Sequence, residues 1–530
     1  MDETPLKKRP KRLQIVNELG KPQTLSQAES SFTALKRAPG AILILGLGPS
    51  PSVAAALAAE SRAGVSYVES EEFASQMTSA WREAVPKGWT RLSPDEAAER
   101  AGEFGAILLY GQNPRLFPSF WGPLLAAIRL RLVPGPDAPV RSNAIILPGT
   151  ENSLLVREMA EAFAHCGKTV IAADPADLPA KLPGVLANGG AGLFFSVNFA
   201  GLDPFGQTYY RMRAAGIETA VWCVDNPFHL ISGLKAPFWR KAALFVTDDW
   251  FLEPLRNEGA ERVFHLPLAA PAAFFSPAPL PETPGYSGLA QRILFVGRSR
   301  FPGRDAFFAG QTVPPALAAE SKDMIARGER PHFGWWREKL GIGALWPGNE
   351  GRAAGFGAET ASLALRRECL LAALPLGLTI HGDAGWRAEL PPGADIRPEV
   401  DYYGPLAGMY AKAGYGLNLT SLLLPHGLTQ RHFDVFAAGG RLLTDASPGL
   451  RLFPRELVQP FVFAGPGDIA RVVKRLEGER ALRDDLARGM RAHLFQRHRY
   501  EHRALAVLEA LDAARGTRAH IALDGPSKGD

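Results

Sequence analysis

The chain has 530 residues, too many for one hydrophobic core, and at about 150 residues per domain it should hold about three. Its 46% hydrophobic and 21% charged residues are those of a folded globular protein, with a small basic excess of 59 over 54 acidic residues. No run approaches the roughly 18–20 apolar residues of a membrane span. No basic face interleaved with aromatics marks a nucleic-acid binder.

The three cysteines, Cys166, Cys223 and Cys369, have neither disulfide-framework nor metal-ligand spacing, so a reducing, cytoplasmic location is expected. Lys7, Lys8, Arg9, Lys11 and Arg12 have no apolar run behind them and read as a solvated tail rather than a secretion signal.

Residues 1–40 read as a tail and lead-in. A first domain, 41–135, opens with the apolar run Ala41–Leu45, the turn Gly46-Leu47-Gly48-Pro49-Ser50 and an Ala-rich helical stretch. Strands are expected at Val65–Val68, ending in Glu69, and at Ala106–Tyr110, which makes a small Rossmann-like unit. A Pro-rich boundary at 131–141 leads into a second domain, 141–280. There, strands at Ala144–Leu147, Thr169–Ala172, Leu193–Val197, Thr219–Val224, Leu244–Thr247 and Arg262–Leu266 alternate with helices. Leu155, Met159 and Phe163 mark one buried helix face, and Gly167 its stop. The strands are apolar throughout, as in a parallel sheet covered on both faces.

After a linker at 276–290, a third domain, 291–490, has strands expected at Ile293–Val296, Leu378–His381, Tyr415–Leu419, Arg441–Thr444 and Phe461–Phe463. Residues 491–530 read as terminal helices and a disordered tail. Two doubly wound α/β domains in tandem place ligands in the cleft between them, beyond the strand ends.

The richest stretch is 418–440. It runs from Asn418 through a loop with Gly427 to a helix with Arg431 and Asp434, and ends in Gly439-Gly440. A Gly-bearing loop lets backbone amides approach a phosphate, Arg431 can clamp a diphosphate, and Asp434, three residues on, can accept from ribose hydroxyls. The same residues would also suit an interior helix with an i,i+3 surface pair.

This stretch resembles the C-terminal half of the CgeB-like (spore-maturation-type) glycosyltransferases, whose pattern also has Ala-x-Gly-Gly and a strand ending in Thr-Asp, here Thr444-Asp445. Four further pieces resemble the family in order: Trp222 with Asp225-Asn226-Pro227; His381-Gly382-Asp383 with Gly385-Trp386; Tyr403-Gly404 with Leu406 and Tyr410; and His498-Arg499-Tyr500-Glu501-His502-Arg503. The resemblance covers about residues 141–510. Asp434 stands where many relatives have Glu, Arg499 replaces the usual Thr, and the insert Phe301–Gly357 does not align, reading as a lid or a surface elaboration.

The resemblance implies a GT-B fold, with two Rossmann-like domains facing a cleft behind the extra N-terminal one. It implies a UDP-, GDP- or TDP-sugar donor on the C-terminal domain and a protein, lipid or glycan acceptor on the other, as in bacterial surface glycosylation. Arg431 and His381 would face the diphosphate and Asp434 the ribose. Asn418 and Gly427 would shape the pocket, with Asp383 and Tyr403 beside it. The fold generally needs no divalent metal, since basic groups neutralise the leaving diphosphate. Asp248-Asp249 is adjacent rather than spaced and reads as a helix N-cap.

An inverting transfer needs a general base, for which Asp225 is the first candidate and His229 the second. A turn-forming aspartate before Asn226-Pro227 is the plainer reading of Asp225. In the first domain, the Gly46/Gly48 turn and Glu69 resemble the opening of nucleotide- or S-adenosylmethionine-binding folds, but the dinucleotide fingerprint is incomplete, and a vestigial or protein-interaction domain is the preferred reading. A nucleotide-sugar epimerase and a non-catalytic nucleotide-sugar-binding scaffold stay open as alternatives.

Overall fold

Strands covered by helices on both faces need continuous apolar runs, and this chain forms three sheets of that kind. The structure, a computed structural model, describes residues 13–59, 62–133, 143–187, 190–282 and 286–523. The basic tail Lys7–Arg12, most of the Pro-rich boundary and the last seven residues lie outside the described residues.

A hairpin of β1 (Gln14–Val16) and β2 (Pro22–Thr24) precedes the first sheet. That sheet holds β3 (Phe32–Lys36), β4 (Ile42–Leu45), β5 (Val65–Val68), β6 (Thr90–Arg91) and β7 (Ala106–Tyr110), in the order β3-β7-β4-β5-β6. All neighbours are parallel except the edge strand β3, which runs antiparallel to β7. Residues expected as a lead-in are therefore built into the first unit, where Tyr110 Oη donates to Ser26 O at 2.9 Å.

The second sheet contains β8 (Ala144–Pro148), β9 (Thr169–Ala173), β10 (Leu193–Val197), β11 (Glu218–Cys223), β12 (Ala243–Val246) and β13 (Arg262–His265), in the order β13-β12-β11-β10-β8-β9. The third contains β14 (Ile293–Val296), β15 (Leu378–His381), β16 (Asp395–Arg397), β17 (Tyr415–Asn418), β18 (Leu442–Asp445) and β19 (Val462–Phe463), in the order β16-β15-β14-β17-β18-β19. Both are parallel throughout and wind outward in both directions from an inner first strand. The whole is the α/β, doubly wound GT-B layout with an added N-terminal Rossmann-like unit.

Helix α1 (Pro51–Ala58) belongs to the first unit, and five helices position the site: α2 (Val156–His165), α3 (Pro227–Ile231), α4 (Glu350–Ala373), α5 (Arg431–Ala437) and α6 (Tyr500–Leu523). Helix α2 ends at Gly167 (φ +73), where a left-handed residue costs glycine nothing. Helix α6 returns from the third unit to pack on α2 and the second sheet. The His498–Arg503 segment secures this return. Tyr500 is buried edge-on to Trp222 at 6.3 Å, Arg503 Nε donates to Pro267 O at 2.7 Å, and Ala270 N donates to His498 O at 2.8 Å.

The insert is neither an open lid nor a surface ornament. Phe333, Trp336 and Trp346 join one core that runs from Phe228 and Trp239 of the second unit to Leu294 and Phe433 of the third. Phe228 and Phe333 rings stack at 6.2 Å, and Arg352 Nε on α4 donates to Ser232 Oγ at 2.9 Å. The insert's Arg330 forms a largely buried ion pair with Asp445 and donates to Thr420 Oγ1 at 2.7 Å.

Candidate functional site

The C-terminal strand ends of the second and third sheets face each other, and Asn226 Nδ2 donates across the gap to Leu423 O at 2.9 Å. Just past β11, Asp225 is open to solvent yet hemmed in by protein, the position of a group on a cleft floor. The burial of its surroundings raises its carboxyl above the ordinary range, against the lowering effect of a hydrogen bond from Asn198. Asn198 Nδ2 donates to Asp225 Oδ2 at 2.7 Å while Asn198 Oδ1 accepts from Val224 N at 2.9 Å. Asn198 and Phe199 hold left-handed backbone, with φ +51 and +63, at the end of β10. Two consecutive non-glycine residues in that region are strained, and such strain clusters at functional sites.

His229 lies elsewhere. Its ring is enclosed by Phe307 at 5.1 Å, Phe308 at 5.5 Å and Phe333 at 6.2 Å, and Nε2 is buried without a hydrogen-bond partner. Burial, helped by the Arg352 charge, pushes it down to about 3, so it stays neutral at working pH. The insert, which the sequence left unplaced, supplies the three rings around it.

On the opposite wall, β17 ends in the fully buried Asn418, whose Oδ1 accepts from Arg431 Nε at 2.9 Å and from Thr429 Oγ1 at 2.6 Å. Arg431 Nη1 donates to Val296 O at 2.8 Å, and the guanidinium sits 5.7 Å from the Phe295 ring centre. Arg431 keeps part of its surface accessible although protein surrounds it, which suits a cation facing the cleft. Gly427 acts differently from the expected phosphate cradle. Its N–H is used in a turn to Leu424 O at 3.2 Å, and a Cβ would strike the Leu424 side chain.

Asp434 is 1% exposed, and its Oδ1 accepts from Gln430 Nε2 at 2.8 Å and Tyr402 Oη at 3.3 Å. Burial holds its carboxyl well above the ordinary range. Buried and already bonded, Asp434 is not open to a ligand as the sequence expectation required. Tyr403 Oη donates across the domains to Glu158 Oε1 at 3.0 Å, beneath Arg157, whose guanidinium lies 5.0 Å from the Tyr403 ring centre. Tyr402, Tyr403, Glu158 and Tyr500 line a cavity of about 290 Å³ on this seam.

His381 Nδ1 donates to Pro398 O at 2.9 Å, which leaves Nε2 as a buried acceptor with no protein partner; burial lowers its pKa. Asp383 accepts from Ser299 Oγ at 2.7 Å, Ser299 N at 3.1 Å and Gly385 N at 3.0 Å, so its carboxylate fastens the loops after β14 and β15 together.

Asp248 is an N-cap, accepting from Trp250 N at 2.8 Å, and it also accepts from His426 N at 2.9 Å across the domains. Asp249 bonds His426 Nδ1 at 2.9 Å and pairs with Arg451. Among the described residues this is the one group spaced to hold a cation, but the Arg451 guanidinium already neutralises Asp249.

Sequence reasoning missed Asn198, Glu158 and Tyr402. Asn198 follows a predicted strand and was findable by position. Glu158 looked like the solvent face of an amphipathic helix.

Residues 366–509 match the model of a glycosyl transferase-like family. The match spans β17, α5 and β18, so this segment of the third unit is similar to glycosyltransferases. No curated protein matches the chain in sequence. Similar solved structures include Anabaena HepE in complex with UDP-glucose, at 9% identity over 70% of this chain and 99% of that one, with a TM-score of 0.41. A glycosyltransferase from Rickettsia africae has 9% identity over 70% and 97%, with a TM-score of 0.36. SnogD from Streptomyces nogalater has 14% identity over 70% and 99%, with a TM-score of 0.26.

Proposed function

We propose that the chain moves a sugar from a UDP-, GDP- or TDP-sugar to a hydroxyl of a protein, lipid or glycan, with the donor on the third unit and the acceptor on the second. The CgeB-like subfamily is the reading its motifs favour. The observation that carries the mechanism is Asp225, accessible on the cleft floor and aimed by Asn198. On an inverting route the acceptor oxygen attacks the anomeric carbon as its proton passes to Asp225, and the bond to the diphosphate breaks. Arg431, held by Asn418 and Val296 O, offsets the charge that develops on the leaving diphosphate. On this reading His381, kept neutral by burial, would offer its unpartnered Nε2 as an acceptor to a donor hydroxyl.

The test is calorimetric titration with UDP, GDP, TDP and CMP, beside turnover of matching sugar donors. One nucleotide should bind saturably. Arg431→Ala should weaken it about tenfold or more, the value of a charged hydrogen bond. Asp225→Asn should bind as wild type yet lose about 10²–10⁴ in turnover. Full turnover by Asp225→Asn would remove it as base, and no nucleotide binding at all would remove the donor site from the third unit.

A further inference from the structure

The first unit contributes nothing to the site above, yet it has a cavity of its own. Strand β4 ends in Gly46-Leu47-Gly48 and β5 in Glu69, and the crevice beyond these ends is divided. Toward β7 it is filled by protein. Asn113 lies on Gly46, where a Cβ would overlap its Nδ2, and donates to Leu45 O at 3.3 Å. Tyr110 packs against Gly48, its ring 3.1 Å from where a Cβ would stand. The positive-φ glycines admit these side chains, which occupy the ground a dinucleotide's diphosphate would need.

Toward β5 the crevice is open. A cavity of about 290 Å³ is lined by Leu47, Tyr67, Glu69, Trp81, Val85 and Arg91, among others. Trp81 is fixed by its Nε1, which donates to Gly48 O at 2.8 Å. Glu69 is 4% exposed, with Oε2 accepting from Leu47 N at 2.8 Å and Oε1 from Ser70 N at 3.0 Å. A carboxylate offers about four acceptor positions, so each oxygen keeps one for a further donor. The walls mix Tyr67, Trp81, Leu47 and Val85 with the charged Glu71, Arg82 and Arg91, and aromatic faces beside a paired acceptor suit a flat base joined to a vicinal diol.

We infer that this cavity is a second ligand site, binding a ribonucleoside without a diphosphate through Glu69 and the 2′,3′-diol, with the base against Tyr67 and Trp81. Burial pushes Glu69 up to about 8, so a diol that donates to the ionised form should bind more tightly at pH 8.5 than at pH 6.5. Adenosine, guanosine, uridine, cytidine and S-adenosylhomocysteine are titrated into the full chain by calorimetry, beside NAD and the 2′,3′-dideoxy form of whichever nucleoside binds.

At least one nucleoside, or S-adenosylhomocysteine, should bind saturably. The dideoxy form should be about tenfold weaker or worse, as loss of bonds to a charged acceptor implies. NAD should bind more weakly than the best nucleoside. Glu69→Gln should lose binding and Arg431→Ala should keep it. No saturable binding, equal binding of the dideoxy form, or loss in Arg431→Ala, which would place the ligand in the donor cleft, each overturns the inference. The dideoxy comparison on the wild-type chain decides the matter even if Glu69→Gln fails to fold.

Discussion

Asn198→Gly removes the amide that holds Asp225 while leaving a residue that accepts φ +51 without strain. The lost bond is 2.7 Å long and ends on a carboxylate. Hydrogen bonds to charged groups are worth about 1.5–3 kcal/mol, and because Asp225 is open to water the lower end applies, about 1.5 kcal/mol. That bond favours the ionised form, so its loss raises the carboxyl further. The base works as carboxylate, so the acidic limb of the pH–rate profile should move up by about one pH unit. In the variant, turnover on that limb should be about tenfold below wild type, with most of it recovered at high pH. The assay is kcat against pH with saturating donor and acceptor, and nucleotide affinity should not change. Asn198→Ala should show the same limb plus a stability loss of about 1–2 kcal/mol from a side chain in left-handed backbone. A limb that stays put or moves down refutes the role of Asn198, and with it the reason for preferring Asp225.

His229→Leu removes a buried nitrogen that has no hydrogen-bond partner, so chemical unfolding should find it neutral or stabilised by about 1 kcal/mol; a turnover loss above about a hundredfold, the lower reach of general-base catalysis, would return His229 to the mechanism. Gly355→Ala drives a Cβ into the His229 ring from α4 and should cost about 1–3 kcal/mol in denaturant titration, by overpacking the insert against the second unit. Burial raises the Glu158 carboxyl above its unfolded value. Its contribution is therefore fullest at low pH and is lost as pH rises above the usual carboxylate range, so Glu158→Gln should flatten any fall in stability over that rise, read by thermal melts.

The doubly wound fold was legible because strands buried on both faces must be apolar at every position. Val65–Val68, Ala106–Tyr110, Leu193–Val197, Ile293–Val296 and Leu378–His381 are strands at the predicted residues. Beyond the β1–β2 hairpin, the strands missed, Phe32–Lys36, Thr90–Arg91 and Asp395–Arg397, sit at sheet edges. There one side is solvated, and a short polar-bearing run is all that pairing requires. Arg431 and Asn418 could be singled out because a strand end, a loop and a helix start lie within fourteen residues of one chain segment.

Local sequence, then, determined where the strands and helices lie, which loops leave the strand ends, and that Asp225 and Arg431 stand on two of them. Those facts follow from periodicity and turn chemistry within a short window. Tertiary structure alone decided that His229 turns into the insert, that Tyr402 covers Asp434, that Glu158 meets Tyr403, and that Asn198 aims Asp225. Each depends on partners from 27 to 245 residues away in the chain or on a backbone twist that no local pattern announces, and only packing brings such groups within bonding distance.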